Sequence, residues 1–159
     1  MDILTKIGVT VLTFLFMEFV AWFTHKYIMH GFLWTWHRSH HRVRKGFFER
    51  NDLFFIVFSV PAVLAFYFGF TGNETLNVWF FVGLGVTGYG IFYLLFHDIL
   101  VHQRVKFRFK AKSAYLKRMI NAHYAHHSKH TKDGCEAFGF LWAPEKYRVK
   151  EKKKTVKEV

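Results

Sequence analysis

The chain has 159 residues, enough for one domain, and its composition is unusual for a soluble protein of that size. Aromatic residues make up 21% of the chain, and 23 Lys and Arg against 11 Asp and Glu give a formal charge of +12. A single cysteine, Cys135, excludes an intrachain disulfide bond and a cysteine-rich zinc site.

Three apolar runs follow one another along the chain. Crossing the hydrocarbon core of a bilayer takes about 20 helical residues, and three stretches reach or approach that length: Ile3–Phe23, Leu53–Phe70 and Leu76–Leu100. The first run lacks the basic n-region and the small-residue cleavage site of a signal peptide, so we interpret it as a retained membrane helix. The predicted fold is an all-α integral membrane bundle of about three transmembrane helices, with four as the alternative.

The positions of the basic residues predict a topology. Basic segments lie between the first and second runs and after the third run, whereas the turn Thr71–Thr75 carries only Glu74. Three crossings place all of these segments on one side, and basic loops stay cytoplasmic. We therefore predict that the N-terminus is outside and the C-terminus is inside. This topology explains the positive charge, so binding to nucleic acid is not needed to account for it. The surplus positive charge can interact with anionic lipid head groups or with an acidic protein.

Ten of the eleven histidines form two copies of one pattern, H-x4-H followed by H-x2-H-H. The first copy comprises His25, His30, His37, His40 and His41, and the second comprises His97, His102, His123, His126 and His127. Six residues separate the two halves of the first copy and 20 those of the second, which argues against simple histidine enrichment. All eleven histidines fall in or next to the basic segments, so we predict a helical, histidine-rich cap on the cytoplasmic side.

The spacing within each copy suits metal binding. On an α-helix, H-x2-H-H places its first and third histidines on one face and its second close by, so one helix can serve one ion or bridge two. H-x4-H places its rings roughly 140° apart on an α-helix, so this pair needs a π-bulge, an unwound helix end, or two ions flanking the helix. His130 lies outside the pattern, and we interpret it as an exposed or supporting residue.

Ten imidazoles are too many for one ion and suit two. Neutral imidazole binds iron, copper, nickel and zinc, but zinc usually takes four ligands, with cysteine or carboxylate often among them. A nitrogen-rich pair of redox metals at a membrane surface is suggestive of oxygen activation.

Carboxylates near these motifs are further candidates. Glu18 lies inside the first apolar run, where a carboxylate is costly and usually functional. It precedes His25 by seven residues, with Trp22 between them on one stripe, so we predict that Glu18 and Trp22 line a substrate pocket or support the metal site. A Glu18 neutralised in a helix contact is the alternative. Glu49 and Asp52 begin the second run, where helix-start stabilisation and a site role are both compatible with the sequence.

Asp98 directly follows His97 and can hold that imidazole through its other nitrogen, a common arrangement around metal ligands. A pairing with Arg104 or Lys106 near the interface is the alternative for this carboxylate.

A glycine-rich stretch and a short aromatic segment lie outside the histidine motifs. The stretch 83–88 matches G-x-G-x-x-G but lies in an apolar run without a βαβ unit, so we reject dinucleotide binding and predict close helix packing or a slot for a flat substrate. Phe138–Pro144 is short, apolar and aromatic, and we predict that it covers the site or simply packs. We assign 1–144 to one membrane-embedded domain and 145–159 to a basic tail.

At these motifs the sequence resembles the bacterial β-carotene hydroxylases of the fatty acid hydroxylase/sterol desaturase superfamily. The most specific stretches of this resemblance are His25–Trp34, Asn51–Phe54, Phe96–His102 and His123–His127.

The resemblance implies a non-haem diiron monooxygenase whose two iron ions are held by the ten histidines. It implies that dioxygen and electrons from a ferredoxin-like donor hydroxylate β-ionone rings at C3, converting β-carotene to β-cryptoxanthin and zeaxanthin, with ketolated carotenoids as further substrates. The protein would lie in the inner membrane.

Alternatives are a superfamily oxygenase acting on fatty acyl, sterol or alkane substrates, a carotenoid 4-ketolase, or a non-enzymatic membrane metal or haem protein. The resemblance implies no oligomeric state.

Overall fold

The computed structural model describes residues 1–43, 46–71, 76–106 and 108–149, and all regular elements within these ranges are helices. Three helices are long and apolar enough to cross a membrane, namely Ile3–Phe32, Arg50–Phe70 and Val78–Val101. The predicted all-α class with three long apolar helices is therefore confirmed. The described ranges contain no fourth helix of this kind.

The first crossing changes its helical character near its end. Helix α1, Ile3–Phe23, begins at Asp2, whose carboxylate accepts a hydrogen bond from the Thr5 N–H. It continues as a π-helical segment, Thr24–Phe32, with a kink at Gly31, and a single turn, α2, follows at Trp34–His37.

The second crossing starts with a 3-10 turn, Arg50–Asp52, and continues as α3, Leu53–Phe70. The third crossing is α4, Val78–Tyr93, followed without a break by a second π-helical segment, Leu94–Val101. Two elements complete the cap, helix α5 at Ala114–His127 and a 3-10 turn at Glu145–Tyr147.

Two predicted segments are only partly described. The basic tail assigned to 145–159 is described as far as Val149, so most of it lies outside the described residues. Four residues of the predicted outer turn, 72–75, also lie outside them.

Helix α4 is the central helix of the bundle because it packs against both α1 and α3, which barely touch each other within the described residues. Glycines permit these close approaches: a Cβ added at Gly85 would lie 2.6 Å from Thr13 Cβ on α1, and one at Gly83 would lie 3.0 Å from the Phe66 ring on α3. The G-x-G-x-x-G stretch thus serves helix packing, as predicted.

The outer surface of the bundle is apolar. Large hydrophobic side chains are exposed along the long helices, among them Leu4 and Leu12 on α1 and Ile56 and Val63 on α3. Exposed apolar surface of this extent is unfavourable in water and is expected where a helix faces lipid.

Candidate metal centre

The two π-helical segments resolve the spacing of the H-x4-H pairs. A π-helix closes hydrogen bonds across five residues, as between the His102 N–H and the His97 carbonyl at 2.9 Å. Side chains five positions apart then lie on one face, so His25 meets His30 and His97 meets His102, with ring centroids 5.4 Å and 4.6 Å apart. Of the three predicted ways to accommodate this spacing, the structure uses the π-helix.

The ten predicted histidines gather into two groups of five, within each of which one nitrogen per ring lies within 4.8 Å of the others; all are buried except His102 and His127, which are partly buried. We call these groups site A and site B. Site A consists of His25, His30, His37, His41 and His126. Site B consists of His40, His97, His102, His123 and His127.

Each H-x2-H-H motif contributes to both sites. In the first motif, His37 and His41 belong to site A, while His40 belongs to site B. In α5 the relationship is reversed, because the first and third histidines join site B and the middle one, His126, joins site A. In helix α5 the i and i+4 histidines lie about 40° apart around the axis and the i+3 histidine about 60° to the other side, so the helix can serve two sites. The first motif divides its histidines in the same way although α2 ends at His37.

In site A, ring nitrogens that carry no hydrogen lie close to one another, as His30 and His126 show. The Nδ1 atoms of His30 and His126 donate to the carbonyls of Lys132 and Glu136 at 2.9 Å and 2.8 Å. A neutral imidazole carries one N–H, so both Nε2 atoms are acceptors, yet they lie 3.2 Å apart. A cation between them removes this repulsion.

The spacing of these nitrogens also fits the ligands of a metal ion. Close Nε2–Nε2 pairs lie 3.1 Å apart for His25 and His37 in site A and 2.8 Å apart for His40 and His97 in site B. With metal–imidazole bonds of about 2.0–2.1 Å, as for zinc, ligands at right angles lie about 2.9 Å apart and tetrahedral ligands about 3.3 Å apart. The site B distance is close to the right-angled value, and the site A distance lies between the two values.

Burial keeps the cap histidines neutral and therefore able to bind a metal. Loss of hydration lowers the pKa of His41 to about 4 and that of His126 to about 3. The pKa values of His40 and His123 are also well below the ordinary value, first because of burial and then because neighbouring histidines disfavour a positive charge.

Site A is supported from outside by neutral acceptors. The segment between α5 and the final turn supplies four backbone carbonyls to the Nδ1 atoms of its rings, from Lys129, Lys132, Glu136 and Phe138. The fifth ring, His37, donates to Asn51 Oδ1 at 2.7 Å.

Site B is supported by carboxylates. The His97 Nδ1 donates to Asp98 Oδ1 at 2.7 Å, in agreement with the predicted role of Asp98. His40 Nδ1 lies 3.5 Å from Glu49 Oε2. Arg104 contacts both of these carboxylates and also Asp52, so the alternative predicted pairing of Asp98 with Arg104 is present as well.

His130, the eleventh histidine, belongs to neither site. It is exposed, and its Nδ1 donates to the backbone carbonyl of His41. This position agrees with the prediction of an exposed or supporting residue.

Glu18 joins α1 to the aromatic segment Phe138–Pro144. Its Oε1 accepts hydrogen bonds from the backbone N–H groups of Phe140 and Leu141 at 2.8 Å and 2.9 Å, and its Oε2 accepts one from the Tyr89 hydroxyl at 2.7 Å. Glu18 is thus a helix-contact residue that supports the segment beside the site and does not line the cavity described below.

Trp22 was predicted to line a pocket or support the metal site together with Glu18, but the structure places it elsewhere. Its ring packs against Phe19 and Tyr27, with the Lys26 ammonium 5.3 Å from its ring centroid. The π-helical segment begins at Thr24, between Trp22 and His25, so α-helical spacing does not hold across this interval and the tryptophan lies away from the buried histidine. It does not line the cavity.

A cavity of about 380 Å³ lies between α1, α3 and α4 and leads to the histidines. Its walls are mainly apolar and aromatic, and His25 and His37 of site A and His97 of site B are among the residues that line it. The Phe140 ring also lines it, stacked on the His25 ring with a centroid distance of 5.7 Å. An apolar cavity that ends at metal-binding groups can present a lipid-soluble molecule to both sites.

Three residues of this region had no assigned role in the sequence interpretation. Asn51 supports site A, Phe140 stands between the sites, and Tyr93 stacks on His97 with its hydroxyl 3.5 Å from Nε2. Phe140 had a signal as part of the predicted aromatic cover, and Asn51 as the start of the stretch Asn51–Phe54. Arg104 was predicted only as a partner of Asp98, and its contacts with Glu49 and Asp52 depend on packing that spacing does not encode.

Comparison with known proteins gives a consistent result. The family described as fatty acid hydroxylase matches residues 10–144. The chain is 50% identical over 128 residues to a Beta-carotene hydroxylase of Pantoea ananas, covering 80% of this chain and 71% of that protein. It is 40% identical over 149 residues to a Beta-carotene hydroxylase of Paracoccus sp., covering 93% and 90%.

A plant protein is also similar. The chain is 38% identical over 144 residues to Beta-carotene 3-hydroxylase 2, chloroplastic, of Arabidopsis thaliana, covering 90% of this chain and 47% of the longer plant protein. No solved structure was found to match the chain.

Proposed function

The chain belongs to the fatty acid hydroxylase family, and from this premise we propose that it is a β-carotene hydroxylase that inserts oxygen at C3 of β-ionone rings. The products would be β-cryptoxanthin and then zeaxanthin, with ketolated carotenoids as further substrates. The similar bacterial proteins named Beta-carotene hydroxylase support this assignment.

The observation that carries the proposal is the cavity between the three long helices. It is mainly apolar, and it is lined both by residues of the three helices that are long enough to span a membrane and by histidines of both sites. A carotenoid dissolved in the bilayer needs such a route, because its ring must leave the lipid without crossing water. The cavity volume of about 380 Å³ lies in the range of small-molecule sites.

We further propose that the ten histidines hold two iron ions, which would supply the activation of dioxygen when bound. The close approach of ring nitrogens, at 3.1 Å and 3.2 Å in site A and 2.8 Å in site B, supports a metal at each site. In hydroxylation, a ring C–H becomes C–OH with one oxygen atom of O2. The second oxygen atom leaves as water, which takes two protons and two electrons from an external donor.

The protein's own residues hold the ring in place and keep water out. Phe140 and Tyr93 form an edge-to-face pair, with centroids 4.9 Å apart, on the cavity wall beside His97. Such flat, rigid side chains position an apolar ring with little loss of conformational freedom. Phe54 is buried beside His37, at a centroid distance of 6.4 Å, and adds to the apolar lining next to site A.

Location and electron supply complete the proposal. We place the N-terminus outside and the histidine cap in the cytoplasm, with the protein in the inner membrane. The charge of +12 is concentrated in the segments of the cap and the tail, and this supports docking of an acidic, ferredoxin-like donor.

Expression in a host that accumulates β-carotene tests this function. Pigment chromatography should show β-cryptoxanthin and zeaxanthin, and His40→Ala should abolish both. A 4-keto product would indicate a ketolase, and unchanged β-carotene would favour a fatty acyl, sterol or alkane substrate. An intense Soret band in the purified protein would instead indicate a haem protein.

A further inference from the structure

The two sites differ in the charge of the groups that support them. All five rings of site A donate their Nδ1 hydrogens to neutral oxygens, four from the backbone and one from the Asn51 amide. The carboxylate that follows Lys132 in sequence, Asp133, is exposed, where water and salt screen its charge.

Two of the five rings of site B, His97 and His40, face charged oxygens instead, and the Nδ1 of a third, His123, has no hydrogen-bond partner within the described residues. Asp98 accepts from His97 at 2.7 Å, and Glu49 lies 3.5 Å from the Nδ1 of His40. These carboxylates have little contact with water, with 15% and 9% of the two side chains exposed. A charge in such a place acts on its neighbours with little screening.

Arg104 connects the carboxylates beside site B. Its guanidinium contacts Asp52, Glu49 and Asp98, so one positive group serves three carboxylates. A positive ion held by His97 would lie close to the charge of Asp98, which is hydrogen-bonded to that ring.

Resting on the two metal ions of the proposed function, we infer that the sites are unequal and that Asp98 makes site B the tighter metal site. A carboxylate on the outer nitrogen of a ligand imidazole raises the basicity of the inner nitrogen and stabilises the positive ion that it binds. A neutral amide or carbonyl orients the ring but adds no charge. Asp98 and Asn51 are therefore both positioning residues, but Asp98 also strengthens metal binding through its charge, whereas Asn51 does not.

A reciprocal pair of substitutions tests this inference. Asp98→Asn removes a charge from site B while an amide oxygen can still accept from His97, and Asn51→Asp adds a charge to site A in the same way. Full-length apoprotein in detergent would be titrated with Co²⁺ at fixed pH, with visible absorption reporting each ion bound. Thermal unfolding of each apoprotein shows whether the variant is folded.

The wild type should bind two ions in separable steps. Asp98→Asn should weaken the tighter step by about 10- to 100-fold, as loss of such supporting groups typically does, and leave the weaker step unchanged. Asn51→Asp should tighten the weaker step by about tenfold on the same grounds. If Asp98→Asn fails to fold, the shift in Asn51→Asp still decides the matter.

Other results would overturn the inference. One such result is that the wild type binds both Co²⁺ ions in one step, and another is that Asp98→Asn weakens both binding steps equally. Either result would mean that the supporting charges do not distinguish the sites. Pigment analysis of the same wild-type preparation separates the two proposals. Zeaxanthin formation with coincident steps rejects only the inequality, whereas separable steps without hydroxylated pigment reject only the hydroxylase.

Discussion

Glu18 and Phe140 are joined by a hydrogen bond across 122 positions of sequence, from the Phe140 N–H to Glu18 Oε1 at 2.8 Å. This bond fastens the segment beside the histidines to the middle of the first membrane helix. Glu18 therefore helps to position the Phe140 ring. That ring lines the cavity and contacts histidines of both sites.

Removing the Glu18 carboxylate should release this segment. Glu18→Ala leaves the N–H groups of Phe140 and Leu141 and the Tyr89 hydroxyl without their acceptor, and each hydrogen bond to a charged group contributes about 1.5–3 kcal/mol. We expect a lower unfolding temperature in detergent and at least a tenfold fall in hydroxylated pigment.

The control is Glu18→Gln, whose amide oxygen can still accept from the backbone and which should lose much less. Equal losses in the two variants would show that charge, and not the anchoring of the segment, is what matters at this position.

The assignment of histidines to sites can be tested by counting metal ions in double variants. His40 and His97 belong to one site, so His40→Ala with His97→Ala should retain about one ion per chain, as either single variant does. His40→Ala with His37→Ala affects both sites and should retain almost none, although these two residues are only three apart in sequence. Elemental analysis of purified protein gives the count.

His130→Ala should keep both ions, because this residue belongs to neither group. If the His40/His97 double variant lost both ions, the exchange of histidines between the two motifs would be wrong.

The close approach of α1 and α4 should be sensitive to a single methyl group. Gly85→Ala places a Cβ 2.6 Å from that of Thr13, so the helices must separate, and overpacking of this kind costs about 1–3 kcal/mol. Gly8→Ala on α1 is the matched control, because nothing lies within 4 Å of its added Cβ. Thermal unfolding in one detergent should show a loss for Gly85→Ala alone, and equal curves would contradict the packing argument.

The charged group beside site B should depend strongly on Arg104. Arg104→Met leaves Asp52, Glu49 and Asp98 without this partner, and breaking a buried ion pair costs about 3–5 kcal/mol. Arg118 pairs with Glu145, which is 68% exposed, so Arg118→Met should cost about 0–1 kcal/mol for the ion pair. Free energies of unfolding compared in the same detergent would measure this, and similar losses would contradict the buried role of Arg104.

The sequence predicted the parts of the site but not their grouping. The ten histidines, the three long apolar helices and the contact of Asp98 with His97 follow from spacing and adjacency along the chain. The exchange of His40 and His126 between sites does not, because it depends on how the turn after α2 and helix α5 face each other in the cap.

Residues that act across large sequence distances were the hardest to predict. Asn51 supports His37 from the start of the second crossing, and Arg104 reaches Asp52 over 52 positions. Trp22 shows the opposite error, because helical spacing placed it near the right stripe and the packing of α1 turned it toward other aromatic side chains. Tertiary contacts decide such cases, and no local pattern encodes them.

The exchange of one histidine between the motifs constrains the order of events during synthesis. Site A cannot be completed until His126 has been made, and its outer carbonyls come from residues as late as Phe138. Site B waits for His123 and His127 of the same helix. Since a ribosome makes the chain from its N-terminus, neither site can take up its metal with a full ligand set before all three membrane helices have been synthesised.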